Sequence, residues 1–169
     1  MLIPKTLSVT DDSGFLAIVN ADKYKSFVDE NWEYEQLIKH FVDQMNNNSL
    51  VIWATGSEGE WTMRFTDKQS DKQSFKEFSK SINITNGKLW LINYEDLTMV
   101  AQFEDEKIPL NHNKDLFIQL DNGIYNITIR QLFDPCRGEQ FNDINFEVIL
   151  QQADNVSDNQ IDKIFWQTE

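Results

Sequence analysis

The fold class is decided by residues 78–93, which read FSKSINITNGKLWLIN. Apolar and polar residues alternate up to Ile84, and a second apolar run extends from Lys88 to Asn93. Alternation with a period of two is typical of a strand that buries one face. Asn86-Gly87 lies between the two runs, and this dipeptide is favoured in tight β-turns because both residues tolerate positive φ. The stretch therefore predicts a β-hairpin.

Strand-like runs lie on both sides of this stretch, at 15–19, 50–54, 60–66, 97–103, 116–120, 124–133 and 144–150. The glycine-containing turns 56–59 and 121–123 each separate two of these runs and predict two further hairpins. The total is about eight or nine strands with turn signals at short intervals, which is typical of a sandwich or a partly open barrel.

One segment has the spacing of an amphipathic helix instead. Its apolar residues recur at i, i+3, i+4, i+7, i+8 and i+11 and are Tyr34, Leu37, Ile38, Phe41, Val42 and Met45. A shorter helix is predicted at 23–29. We therefore expect an α+β, β-dominated fold, an antiparallel sandwich or partly open barrel with one main amphipathic helix near the N-terminus. A single domain over 1–169 is expected, with a polar and mobile tail at 151–160.

The charge of the chain is strongly negative. Asp and Glu number 28 against 15 Lys and Arg, a net charge of −13. Such a surface repels nucleic acid and anionic lipid, and it attracts basic proteins. The residues from Met1 to Lys5 do not open a signal peptide, and no apolar stretch is long enough to span a membrane. We therefore expect a cytoplasmic protein with a basic protein partner and no nucleic-acid or membrane partner.

The sequence contains few residues that carry out catalysis or bind metals. Two histidines, His40 and His112, and one cysteine, Cys136, are far apart in the chain. Both histidines are expected at the surface, and no zinc, calcium or phosphate-loop pattern is present. We predict no enzyme activity, no metal and no cofactor. A glycosidase-type carboxylate pair stays open, because acidic residues are abundant.

Two acidic clusters are the candidate partner-binding residues. The first acidic cluster, which enters the predicted helix, comprises Asp29, Glu30, Glu33 and Glu35 and surrounds Trp32. The second acidic cluster comprises Glu104, Asp105 and Glu106. A helix N-terminus favours carboxylates electrostatically, which accounts for part of the first cluster. Trp32 is a candidate interface anchor, whereas Trp53 and Trp61 are expected in the core.

Residues 87–106, GKLWLINYEDLTMVAQFEDE, and 120–132, LDNGIYNITIRQL, carry a family resemblance. The pattern is a strand, an acidic loop that ends at Pro109, and a strand with Gly123 and Tyr125 after the turn. It resembles uncharacterised bacterial β-rich domains found in immunity-gene neighbourhoods and, distantly, the competence-nuclease inhibitor proteins. The resemblance implies a cytoplasmic bacterial binding protein. It assigns no functional residue.

The leading functional hypothesis is an acidic, non-enzymatic binding protein, an immunity protein or inhibitor that neutralises a basic toxin or nuclease. The alternative is a small-ligand or carbohydrate-binding β-sandwich module. That alternative predicts a tryptophan-lined cavity of about 300 Å³ or more with few charges at its base.

Overall fold

The computed structural model describes residues 4–137, 144–157 and 159–168. Their nine strands are β1 (Lys5–Asp11), β2 (Phe15–Val19), β3 (Leu50–Ala54), β4 (Gly59–Thr66), β5 (Lys76–Ile84), β6 (Lys88–Asn93), β7 (Phe117–Gln119), β8 (Gly123–Gln131) and β9 (Phe146–Ala153). A five-stranded sheet has the order β1-β4-β9-β8-β5, and a four-stranded sheet has the order β3-β2-β6-β7. The two sheets do not close into a barrel, so the β-dominated sandwich is confirmed.

All three predicted hairpins are wrong. The turn at Asn86-Gly87 joins β5 of the five-stranded sheet to β6 of the four-stranded sheet. The connections from β3 to β4 and from β7 to β8 cross between the sheets in the same way. Gly87 does adopt positive φ, at 70°. A positive φ reverses the chain at a sandwich corner as readily as within one sheet, so it does not determine which strands pair.

Most strands pair with partners that are distant in sequence. β1 pairs with β4 and β5 with β8, both antiparallel. β9 lies between β4 and β8, antiparallel to β8 but parallel to β4. The expectation of a wholly antiparallel sheet is thus incomplete, because β9 forms one parallel pair. β9 also takes in Gln151 to Ala153, part of the polar tail, whereas Asp158 of that tail lies outside the described residues.

The described residues contain two α-helices. α1 (Tyr34–Asn46) is the predicted amphipathic helix and buries Leu37, Phe41 and Met45 against the four-stranded sheet. α2 (Tyr94–Gln102) replaces the strand predicted at 97–103. Its buried residues Leu97, Val100 and Ala101 have helical spacing, and the Asn93 side chain caps it by accepting from the Asp96 N–H at 2.9 Å.

The short helix predicted at 23–29 does not form, because its backbone N–H groups pair with other elements. Lys25 donates to the Gln44 side chain on α1 at 3.0 Å. Val28 and Asp29 both donate to the carbonyl of Ala101 on α2. The segment is an irregular strap between the two helices.

The core has two parts, one between the sheets and one between the four-stranded sheet and the helices. Trp53 and Trp61 are buried between the sheets, as predicted. The C-terminal segment covers the gap between β3 and β5. There the Phe165 carbonyl accepts from the Ala54 N–H at 2.9 Å, and the Phe165 ring stacks on Phe78 at a centroid distance of 3.8 Å.

Candidate functional site

The first acidic cluster lies on the approach to α1, and all four of its carboxylates are exposed. Glu33 is the N-cap residue, and its backbone N–H donates to the Gln36 side chain at 3.3 Å. Glu35 lies in the first turn, where the positive end of the helix dipole stabilises it. The Asp29 side chain accepts from the Asn31 N–H at 2.8 Å. The helix thus gives Glu33 and Glu35 a local structural role, and the Asx turn gives one to Asp29.

The second acidic cluster has no such local stabilisation. Glu104, Asp105 and Glu106 follow the last turn of α2 and are exposed. The C-terminal end of a helix carries partial negative charge, and the last turn of α2 contains no basic residue. The described residues form ion pairs at other places, and none of these pairs involves either cluster. The fold thus places three carboxylates next to the partial negative charge of a helix C-terminus, which destabilises their charged forms.

The strap that leads into the first cluster lies next to the end of α2, which leads into the second cluster. The backbone N–H groups of Val28 and Asp29 donate to the carbonyl of Ala101 at 2.9 and 3.1 Å. Asp29 begins the first cluster, and Ala101 lies three residues before the second. The sequence does not reveal this proximity. The hydrogen bonds join an irregular strap to the end of a helix, and the sequence of that helix predicts a strand.

Three large apolar side chains next to the clusters are exposed. Met99 and Phe103 are each 42% exposed, and Phe27 is 38% exposed. Met99 and Phe103 lie one turn apart, and the Phe103 N–H donates to the Met99 carbonyl at 3.1 Å. Phe27 and Glu104 both line a cavity of about 400 Å³. In the sequence, Met99 and Phe103 fall within the strand-like run 97–103, which does not reveal their exposure; their i, i+4 spacing is the signal of one helix turn.

Trp32 is half-buried and packs against the core beneath α1, so only part of its ring faces solvent. A different tryptophan, Trp166, lines a cavity of about 510 Å³ together with Phe15 and Tyr34. Asp12, Glu58 and Lys76 also line this cavity. A carbohydrate site was expected to have few charges, and this cavity has three charged side chains.

Within the described part of the chain, the hydrogen bonds and ring contacts of the two histidines involve no serine, cysteine or lysine side chain. His112 is exposed and contacts the buried Asp96 carboxylate at 3.0 Å, and Asn113 donates to the same carboxylate at 2.7 Å. His40 is half-buried rather than at the surface, with its ring edge-on to Tyr24. Cys136 is exposed. The described residues contain no group of three or more His, Cys, Asp or Glu placed to hold a metal ion.

Comparison with known proteins finds similarity in structure only. No protein-family model and no curated protein matches the sequence. The crystal structure of ComJ from Bacillus subtilis, described as an inhibitor of the DNA-degrading activity of NucA, superposes with a TM-score of 0.55 at 12% identity. The match covers 90% of this chain and 99% of ComJ. This chain shares the fold of ComJ.

A second solved structure, the product of crocagin biosynthetic gene J, has the same arrangement. It superposes with a TM-score of 0.61 at 10% identity, over 90% of this chain and 98% of its own. The distant resemblance to the competence-nuclease inhibitor ComJ is therefore confirmed at the level of fold. Within the described residues, neither helix combines the length and the apolar character needed to cross a membrane.

Proposed function

We propose that this protein is a cytoplasmic immunity protein or inhibitor that binds and neutralises a basic toxin or nuclease, without catalysing a reaction itself. Its carboxylates would occupy the positions that substrate phosphates take on such a partner. Complementary charge speeds the encounter of two proteins by orders of magnitude at low ionic strength.

The second acidic cluster is the observation that carries the proposal. Glu104, Asp105 and Glu106 repel one another and follow the negative end of α2, so the helix dipole does not favour them there. A basic partner would relieve both effects. The hydrogen bonds of Val28 and Asp29 to Ala101 hold the start of the first cluster beside the end of α2, which supports a common binding surface for the two clusters. The fold shared with ComJ, itself an inhibitor of a nuclease, supports the same class of function.

The test uses defined candidate partners: NucA and the products of the genes that flank this one in its source genome. Association with immobilised wild-type protein is measured by surface plasmon resonance at 50 and 300 mM NaCl, and DNA degradation is measured in parallel. We expect at least one basic protein to bind, to lose activity when bound, and to associate more slowly at the higher salt. Binding by none of them would contradict the proposal.

The role of the clusters is tested with charge reversals. Glu104→Lys with Glu106→Lys, and separately Glu30→Lys with Glu33→Lys, should slow association and flatten its salt dependence. Glu58→Lys with Glu60→Lys is the matched control, because both residues are exposed on the β3–β4 side and the net charge changes equally. If the control slows association as much as the cluster variants, the effect comes from net charge and these clusters are not the binding site.

A further inference from the structure

The exposed apolar side chains beside the acidic clusters have no role in the fold that explains their exposure. α2 buries Leu97, Val100 and Ala101, whereas Met99 on the helix and Phe103 at its C-cap are exposed. These two residues lie one turn apart, so they form a short apolar stripe at the C-terminal end of α2.

The strap that carries Phe27 lies next to the end of α2. Val28 and Asp29 are hydrogen-bonded to Ala101, which lies between Met99 and Phe103 in the chain. Phe27 precedes them directly and is exposed. The cavity of about 400 Å³ that Phe27 and Glu104 line lies between the strap and the segment after α2, with Ile108 on its wall. Asp22, Lys25 and Lys107 also line this cavity, so it has room for a long partner side chain that carries a polar end.

Protein interfaces have an apolar centre within a polar rim, and a few large side chains in the centre supply most of the affinity. We propose that Phe27, Met99 and Phe103 form the apolar centre of the surface that holds the basic partner, and that the two acidic clusters form its charged rim. This inference rests on the proposed function.

Charge complementarity determines which kind of partner can bind to this surface. Exposed carboxylates follow Phe27 along the strap and follow Phe103 after α2, and they outnumber Lys25 and Lys107, the two lysines that line the adjoining cavity, so the partner needs an apolar patch with mainly Lys and Arg around it. An acidic protein, an anionic membrane and a second copy of this chain, with its net charge of −13, would all be repelled. The partner is therefore a folded basic protein. Rim and centre act on different rate constants, because charges steer association whereas buried contacts slow dissociation.

The experiment compares two double variants against the partner identified above. Met99→Ser with Phe103→Ser removes the stripe. Phe75→Ser with Val156→Ser removes two other exposed apolar side chains, which are 49% and 37% exposed, and is the matched control. We expect the stripe variant to dissociate roughly tenfold faster with little change in association rate, and the control to stay within about twofold of wild type.

Urea unfolding of each variant checks that it is folded. If the double variant is unstable, the single variant Met99→Gln, which keeps helix propensity, replaces it in the dissociation measurement. Dissociation of the stripe variant at the rate of the control would overturn this inference while leaving the proposed function intact. Failure of the wild-type protein to bind any candidate partner is the separate failure of the proposed function. A wild-type dimer in sedimentation equilibrium that the stripe variant converts to monomer would also overturn it, by making the occupant a second copy.

Discussion

Asp11 is buried at the end of β1 and joins three parts of the chain. One carboxylate oxygen accepts from the backbone N–H groups of Ser13, Gly14 and Phe15 and so forms the turn into β2. The other oxygen accepts from the Thr55 hydroxyl at 2.6 Å and from the Trp61 indole N–H at 3.0 Å. Every group that faces this carboxylate is a donor, so both oxygens must be acceptors.

Asp11→Asn should therefore lower the free energy of unfolding by about 1–3 kcal/mol, because the new amide group points a donor at other donors. Urea unfolding measures the loss. Asp12→Asn, a change at the exposed neighbour, is the control and should cost less than about 0.5 kcal/mol. Equal effects of the two variants would show that the Asp11 network does not hold the turn.

His40 and Tyr24 are two titratable side chains whose rings contact each other. Their rings meet edge-on with centroids 5.6 Å apart, and neither His40 Nε2 nor the Tyr24 hydroxyl has a hydrogen-bond partner among the described residues. Burial lowers the pKa of His40, and this outweighs the opposing effects of the Lys25 backbone and the Asp43 carboxylate. Burial likewise raises the pKa of Tyr24. The fold thus holds both groups in their neutral forms.

The stability of the protein should fall in a defined pH window because of His40. Its pKa is lower in the folded state, so below about pH 6.5 the unfolded chain takes up the proton first. His40→Gln removes this contribution, and the variant should lose less stability than wild type between pH 7.5 and 5.5. Urea unfolding at the two pH values measures the difference. Parallel losses in the two proteins would mean that folding does not lower the pKa of His40.

At the scale of the elements, the two helices carry carboxylates at opposite poles. α1 has Glu33 and Glu35 at its N-terminal end, and α2 is followed by Glu104 and Glu106 at its C-terminal end. A carboxylate stabilises the first position and destabilises the second. The acidic clusters look alike in sequence but differ in their electrostatic environment.

Neutralising the clusters should therefore change stability in opposite directions. Glu104→Gln with Glu106→Gln should raise the free energy of unfolding, and Glu33→Gln with Glu35→Gln should lower it, each by about 0.3–1 kcal/mol at low salt. Thermal or urea unfolding at 20 mM and 1 M NaCl measures both, and the differences should shrink at high salt because screening is stronger. Changes of the same sign would remove the electrostatic argument for the second cluster.

The two helices also show what the sequence can predict at this scale. α1 has six apolar residues in one long stripe, and its spacing alone locates it. α2 is shorter, its buried apolar residues are mixed with the exposed Met99, the exposed Phe103 comes at its C-cap, and it follows a strand directly. An apolar run of that length fits a strand equally well. The contacts of Leu97, Val100 and Ala101 with the core therefore determine that this segment is a helix.

At the scale of the whole molecule, the C-terminal segment closes the open side of the sandwich. Phe165 pairs with Trp53 of the four-stranded sheet and stacks on Phe78 of the five-stranded sheet. Phe165→Ala should lower the free energy of unfolding by about 2–4 kcal/mol, since it removes contacts with both sheets. Phe75→Ala, at an exposed ring, is the control and should cost less than about 1 kcal/mol in the same urea experiment. A loss at Phe165 no greater than at Phe75 would mean that the segment does not hold the sheets together.

The sequence predicted the class of the fold but not its strand pairing. Alternation located the strands, because burial of one face leaves a period of two. Pairing depends on contacts between distant residues, such as Met63 with Phe146, and no local pattern records them. The candidate site shows the same limit. The acidic residues were visible as runs, whereas their proximity and the exposure of Phe27 depend on where the strap meets α2.

The central position of β9 has a consequence for the protein during its synthesis. β9 is synthesised after the eight other described strands, and it lies between β4 and β8. Until it is made, the five-stranded sheet exists as two halves, β1–β4 and β5–β8, each with an apolar edge that has no neighbour. Such edges pair readily with other chains. A nascent chain that stalls before residue 146 is therefore expected to aggregate or to need a chaperone.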